Sequence, residues 1–250
     1  MSTALRAEWT KVRTLDSNAW LLAGIVLATC LLGILVAAST RCSPSDCTQD
    51  PAKAGLSGVY LGQAAVVVLG VLTVSGEYAN GMIHVTLAAM PRRIPVLAAK
   101  AIVLSGLILV AGTIAVLISW LTGRPLLAGH GFAPLLAGPA DWRAAGGTVL
   151  YLTLIGLLSL GIATLVREAG VAVGIVLALL FVLPVIAHFT DPAWQRHLDQ
   201  IAPMTAGLAI QDTVNLASQP IAPWPGLAVL AAWALGALLL AGTALRWRDA

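Results

Sequence analysis

Long apolar runs alternate with short polar intervals along this chain. Six runs stand out, at residues 19–39, 56–74, 96–122, 146–166, 169–187 and 225–245. A helix needs about 20 predominantly apolar residues to cross the hydrocarbon of a bilayer, so each run predicts a transmembrane helix. The fold class that follows is all-α: a polytopic membrane protein with six transmembrane helices, forming one domain over residues 1–250. The first run is too long for the apolar region of a signal peptide and follows a polar leader containing Glu8 and Asp16, so it reads as a retained span. Two intervals, 123–145 and 191–223, carry enough Leu, Ala and Ile to enter the interface without crossing, and predict short re-entrant or surface helices. No repeat of solenoid period interrupts the pattern.

Two polar intervals have helical periodicity of their own. Over residues 4–15, Leu5, Trp9 and Val12 share one stripe by their i, i+4, i+7 spacing, with Arg6, Lys11 and Arg13 off it. That pattern describes an amphipathic N-terminal helix lying in the interface; a plain basic leader is the simpler alternative. Over residues 76–91, Glu77, Asn80, Gly81 and His84 fall on a narrow stripe, and Tyr78, Met82, Val85 and Ala89 cover the opposite side. Such a helix must bury itself against protein or lipid. Pro91 ends it, and Arg92 and Arg93 sit where a helix C-terminus and anionic headgroups both favour positive charge. An ordinary interfacial anchor would have the same pattern.

Composition changes the picture only by naming the solvent. Hydrophobic residues make up 59% of the 250 positions and charged residues 10%, against about 25% charged in soluble domains. The basic residues then report topology. Placing the N-terminus inside puts Arg6, Lys11, Arg13, Arg92, Arg93, Lys100, Arg167, Arg246 and Arg248 on the cytoplasmic side, and leaves Arg41, Lys53, Arg124, Arg143 and Arg196 outside. The excess of Lys and Arg belongs inside, so both termini are expected in the cytoplasm. Tryptophan draws two interfacial belts on this map: Trp9, Trp20 and Trp247 within, and Trp120, Trp142, Trp194 and Trp224 without. The basic residues are dispersed at helix ends, which argues against nucleic acid as a partner.

Candidate chemistry is sparse. No phosphate-binding Gly-x-x-x-x-Gly-Lys-[Ser/Thr] loop occurs, so ATP hydrolysis would require another chain. An intramembrane enzyme or ion-coupled carrier needs ionisable groups at membrane depth, and the span centres hold no His, Asp or Glu. Lys100 lies about one turn inside the third span, where its stem can snorkel to the interface, and Gln63 is a lone amide of the kind that joins helices. His130, His188 and His197 lack metal-ligand spacing, and Ser218, His188, Asp191 and Asp199 form no recognisable hydrolytic arrangement. No catalytic residue and no metal site is expected. Cys42 and Cys47 flank a polar stretch and are either two free thiols or, in an oxidising compartment, a disulfide. Gly58 with Gly62, and Gly170 with Gly174, have the spacing that lets helices approach closely, within the subunit or across a dimer. Pro184 permits a kink in the fifth span.

The segment Glu77-Tyr-x-x-Gly81-x-Ile83, the Pro-Arg-Arg turn at Pro91 to Arg93 and the Ala-Lys pair at Ala99 and Lys100 together resemble the first cytoplasmic loop of type-2 ABC transporter permeases. Glu-Trp-x-Lys at Glu8 to Lys11, just before the first span, and Ala-Pro-Met-Thr-Ala-Gly at Ala202 to Gly207, before the last, are similar to that family as well. The resemblance implies a plasma-membrane exporter permease without its own ATPase, working with a second copy or a related permease above two P-loop ATPase subunits that bind ATP and Mg. It implies that residues 76–91 form a coupling helix against the ATPase, with Glu77, Tyr78, Gly81 and His84 on the docking surface and Arg92 and Arg93 setting its depth. The uncharged spans suit a hydrophobic or amphipathic cargo: a drug, natural product, lipid or peptide. The alternative from another class is a membrane scaffold or sensor that uses the same helix to recruit a cytoplasmic partner.

Overall fold

A computed structural model describes residues 2–14, 16–41, 50–79, 81, 93–129 and 138–247. Among the described residues every regular element is helical. Helix α1 (Ser2–Thr14) leads into α2 (Asp16–Ser39), and the short α3 (Pro51–Gly55) turns the chain into α4 (Val59–Ala79). Two long helices follow, α5 (Arg93–Gly129) and α6 (Pro139–Val166). The fifth span is composite: α7 (Ala169–Leu177), a π-helical turn (Ala178–Val182) and α8 (Leu183–His188). Then come α9 (Pro192–Ile201), α10 (Pro203–Leu208), two 3-10 turns and the last helix, α11 (Pro223–Trp247). Six stretches are long and apolar enough to cross a bilayer: Ala19–Ser39, Val59–Tyr78, Ile94–Leu127, Pro139–Val166, Ala169–His188 and Pro223–Trp247. Each coincides with one predicted run, and the chain is an all-α, multi-pass membrane protein.

The helices run longer than the apolar runs that announce them. At 1.5 Å per residue the 37-residue α5 is roughly 55 Å long, well beyond the ~30 Å hydrocarbon core. Residues 123–129, read from the sequence as part of an interfacial interval, are the end of α5, and 139–145 are the start of α6. Trp120, just before the first extension, meets Trp142 of the second edge to face, ring centroids 5.4 Å apart. Trp120 is 2% exposed, so it belongs to the core rather than to an interfacial belt, while Trp142 keeps an exposed face. At the other end, α4 continues through Ala79, so residues 76–79 extend the second span. Of the rest of the expected coupling helix only Gly81 is described, and it lies in a turn rather than in a helix; His84, and likewise Arg92, Cys42 and Cys47, lie outside the described residues.

Helix α6 is the axis of the bundle, with 67% of its apolar window buried. It packs against α4, α5, α7 and α11 at once, which its small residues allow. A Cβ on Gly161 would come within 2.8 Å of the Ala237 backbone of α11, and one on Gly156 within 2.2 Å of the Ile108 side chain of α5. The serine and threonine hydroxyls on α6 are satisfied within the helix: Thr148, Thr153, Ser159 and Thr164 each donate to the carbonyl four residues back. In an apolar surrounding this removes the need for water. Gly58 and Gly62 act within the subunit, seating α4 on Thr29 of α2. Gly174 faces open space on the outward side of α7.

Pro184 has a structural consequence. It cannot donate the amide that would meet the carbonyl four residues earlier, and its ring would crowd that carbonyl. The turn before it widens to π geometry, with the Leu183 amide donating to the Ala178 carbonyl five residues back.

The two glycine positions give opposite expectations. A Cβ at Gly58 would lie 1.7 Å from the Thr29 carbonyl oxygen, so Gly58→Ala is predicted to cost about 1–3 kcal/mol by overpacking and to lower the melting temperature in detergent by several degrees. Gly174→Ala is predicted to stay within about 0.5 kcal/mol of the parent. Thermal unfolding of the two purified variants side by side checks both.

Candidate functional site

The N-terminal helix docks by its polar face. Ala4 and Glu8 are buried and Lys11 is half-buried, an i, i+4, i+7 stripe turned toward the bundle, while Trp9 is 51% exposed. Of the apolar stripe seen in the sequence, Leu5 is half-buried and Trp9 exposed. What α1 meets is a pair of ionisable side chains carried by two spans: Glu77 near the end of α4 and Lys100 two turns into α5.

Four charges converge there. Lys100 Nζ donates to Glu77 Oε1 at 2.7 Å, to Glu8 Oε2 at 3.0 Å and to the Thr73 carbonyl at 3.3 Å. Those are all three protons an ammonium has to give. Lys11 Nζ reaches the same Glu77 Oε1 at 2.6 Å and Glu8 Oε1 at 3.3 Å. The side chains of Lys100, Glu8 and Glu77 are 3%, 5% and 10% exposed, so among the described residues this is a buried network of two lysines against two carboxylates. Burial acts against the charge on Lys11, and bonding to Glu77 and Glu8 outweighs it, holding the ammonium above its ordinary range. The snorkelling expected of Lys100 does not occur, because Glu8 and Glu77 supply its counter-charges inside the protein. Glu77 Oε2 is buried and has no partner among the described residues.

The neighbours of the cluster belong to the same end. Tyr78 lies under the Arg167 guanidinium, 5.3 Å from ring centroid to Cζ. Arg167 is the left-handed cap that ends α6 (φ 66°), and Glu168 then caps α7 by accepting from the Gly170 and Val171 amides. Beyond α4, Gly81 has φ +65° and its amide donates to the Tyr78 carbonyl, the backbone shape that closes a helix and that glycine adopts without penalty. Of the residues expected to face a partner, Glu77 is thus engaged by two lysines of its own chain, Tyr78 is half-buried against Arg167 and Gly81 is exposed. Arg93 opens α5.

The opposite end has its own polar clamp. Asp50 caps α3 through the Ala52 and Lys53 amides and also accepts from the Thr213 hydroxyl and amide and the Val214 amide. Lys53 pairs with the buried Asp212 at 2.8 Å, and the Arg143 guanidinium holds the Asp212 carbonyl. Between the clamps, α10 and the turn after it dip into the bundle, with Met204, Ala206, Leu208, Ile210 and Gln211 all buried. Gln63 of α4 donates to Met204 Sδ at 3.6 Å and accepts from the Tyr151 hydroxyl, while Gln211 donates to Thr148 Oγ1 at 3.0 Å. Of the short helices expected over 191–223, α10 is the one packed into the bundle and α9 has no buried residue, and Gln63 is the helix-joining amide the sequence suggested. Among the described residues no group of His, Cys, Asp and Glu is placed to hold a metal ion.

No family model and no curated protein matches the sequence.

The charge cluster makes a prediction in the form of a cycle. Removing one partner strands a buried charge, so Glu77→Gln or Lys100→Met alone is expected to cost on the order of 3–5 kcal/mol. The pair of changes together removes the stranded charge and leaves Glu8 with Lys11. The double variant is expected to be more stable than the sum of the singles by roughly 0.5–3 kcal/mol. Additive losses in thermal unfolding would show that the four groups do not act as one network.

Proposed function

We propose that this chain is the membrane-spanning subunit of an ATP-driven ABC-type transporter in the plasma membrane, with both termini in the cytoplasm and its ATP and Mg bound by separate ATPase subunits. The observation that carries this reading is the buried network of Glu8, Lys11, Glu77 and Lys100. It ties α1 to the end of α4 and the start of α5, the two helices between which the expected coupling segment lies. A force applied to that segment by an ATPase would therefore reach α1, α4 and α5 together, through charges that cannot separate without being stranded in an apolar surrounding. Tyr78 under Arg167 adds the α6–α7 turn to the same body.

The pairing of two permeases is supported by the outward faces of the spans. Only 17% of the apolar window of the fifth span and 28% of that of the first are buried within the chain. A second permease or lipid covers the rest. The apolar character of the span centres favours a hydrophobic or amphipathic cargo, moved outward.

Purification of the tagged chain from its native membrane in mild detergent tests the proposal. Stoichiometric recovery of a P-loop ATPase is expected. His84→Glu should reduce that recovery several-fold while leaving the thermal unfolding of the permease unchanged, since the change adds charge at the expected docking surface. Recovery of the chain alone, or with a partner lacking a nucleotide site, would replace the transporter reading with that of a membrane scaffold or sensor.

A further inference from the structure

At the end of the bundle away from α1, a half-open pocket of about 190 Å³ lies between α3, the start of α4, α9 and α10. Its lining combines two kinds of residue. Tyr60, Met204 and Leu208 supply apolar and aromatic surface, and Lys53, Asp199 and Asp212 supply the charges. Lys53 is already bonded to Asp212 at 2.8 Å. Asp199 is different: among the described residues its carboxylate has no hydrogen bond and no ion pair, and the group of opposite sign that acts on it is His188, by charge at a distance. Partial burial disfavours its ionised form and moves its pKa up from the ordinary aspartate value. The fold does not use this carboxylate, since α9 is held to α10 by the Thr205 hydroxyl on the Asp199 backbone carbonyl and to the following loop by Gln200 on the Pro220 carbonyl.

With Lys53 and Asp212 compensating each other, the pocket carries one net negative charge beside an aromatic ring and a thioether. We infer that it is a binding site for a small amphipathic monocation, an amine whose ammonium pairs with Asp199 and whose apolar body lies against Tyr60, Met204 and Leu208. A carboxylate and the face of a tyrosine both favour an ammonium. The volume is below the roughly 300–1,000 Å³ of sites for drug-sized ligands, which limits the occupant to about the size of an arylalkylamine. This site is separate from the charge cluster and does not rest on the transporter reading.

The test uses the full chain in lipid nanodiscs with 2-phenylethylamine as probe and 2-phenylethanol as its neutral counterpart, binding being read by saturation-transfer NMR against empty nanodiscs. Saturable binding of the amine, at least tenfold tighter than the alcohol, is expected. Asp199→Asn should weaken the amine at least tenfold and leave the alcohol unchanged. Asp191→Asn, an exposed acid just before α9, should bind as the parent does. Because the Asp199 carboxylate has no partner in the fold, its amide variant is expected to unfold at the parent temperature or slightly above. Equal affinity for amine and alcohol on the parent, no saturable binding above empty nanodiscs, or unchanged binding in Asp199→Asn would each overturn the proposal.

Discussion

An ammonium buried away from water must give all three of its protons to the protein or lose its charge, and Lys100 gives them to Glu77, Glu8 and the Thr73 carbonyl. Much of the termini end follows from that requirement. Glu77 has to sit at the end of α4 with its carboxylate turned inward, and α1 has to lie across α5 to deliver Glu8. Lys11, one turn further along α1, then balances the second carboxylate. None of the four can leave without stranding another, so three helices from distant parts of the chain behave as one piece.

Elsewhere the bundle is held by the two devices that remain where apolar burial between helices supplies little net drive: close packing of small residues and paired polar groups. The glycines of α6 and α4 set the first. The second is concentrated opposite the charge cluster, where Asp50, Lys53 and Arg143 fasten residues 212–214 and the Gln63–Tyr151 pair meets Met204 of α10. Polar clamps at both ends with a small-residue seam between them leave the outward surface apolar. Leu27, Leu31 and Leu35 on α2 and Val171, Ile175 and Val185 on the fifth span are all exposed there.

The span pattern was legible because run length alone decides it, and all six runs reappear as helices. Gly58 and Gly62 were legible as a close approach, although not its partner, since Thr29 carries no mark of its own in the sequence. The charge cluster was legible only in pieces. Glu8, Lys11, Glu77 and Lys100 each stand out in the sequence, yet the pairings that join α1 to the spans reach across 66 and 92 residues, and a separation of that kind is settled by the register of packed helices rather than by any local period. The same holds for α1, whose hydrophobic stripe suggested which face was buried in something, while the protein-facing side proved to be the polar one. The widened turn at Ala178–Val182 was foreshadowed by Pro184 as a kink, but proline alone does not specify how the freed carbonyl is satisfied.

If α1, α4 and α5 are one body, the distance between α1 and α4 has a single value. Spin labels at Arg6 and Leu72, both exposed, with the native cysteines replaced, report it directly in nanodiscs by double electron–electron resonance. One narrow distance distribution is predicted, unchanged by high salt because the charges that fix it are buried. A broad distribution, of the kind a helix adrift in the interface would produce, would contradict the buried network as the link between the N-terminal helix and the spans.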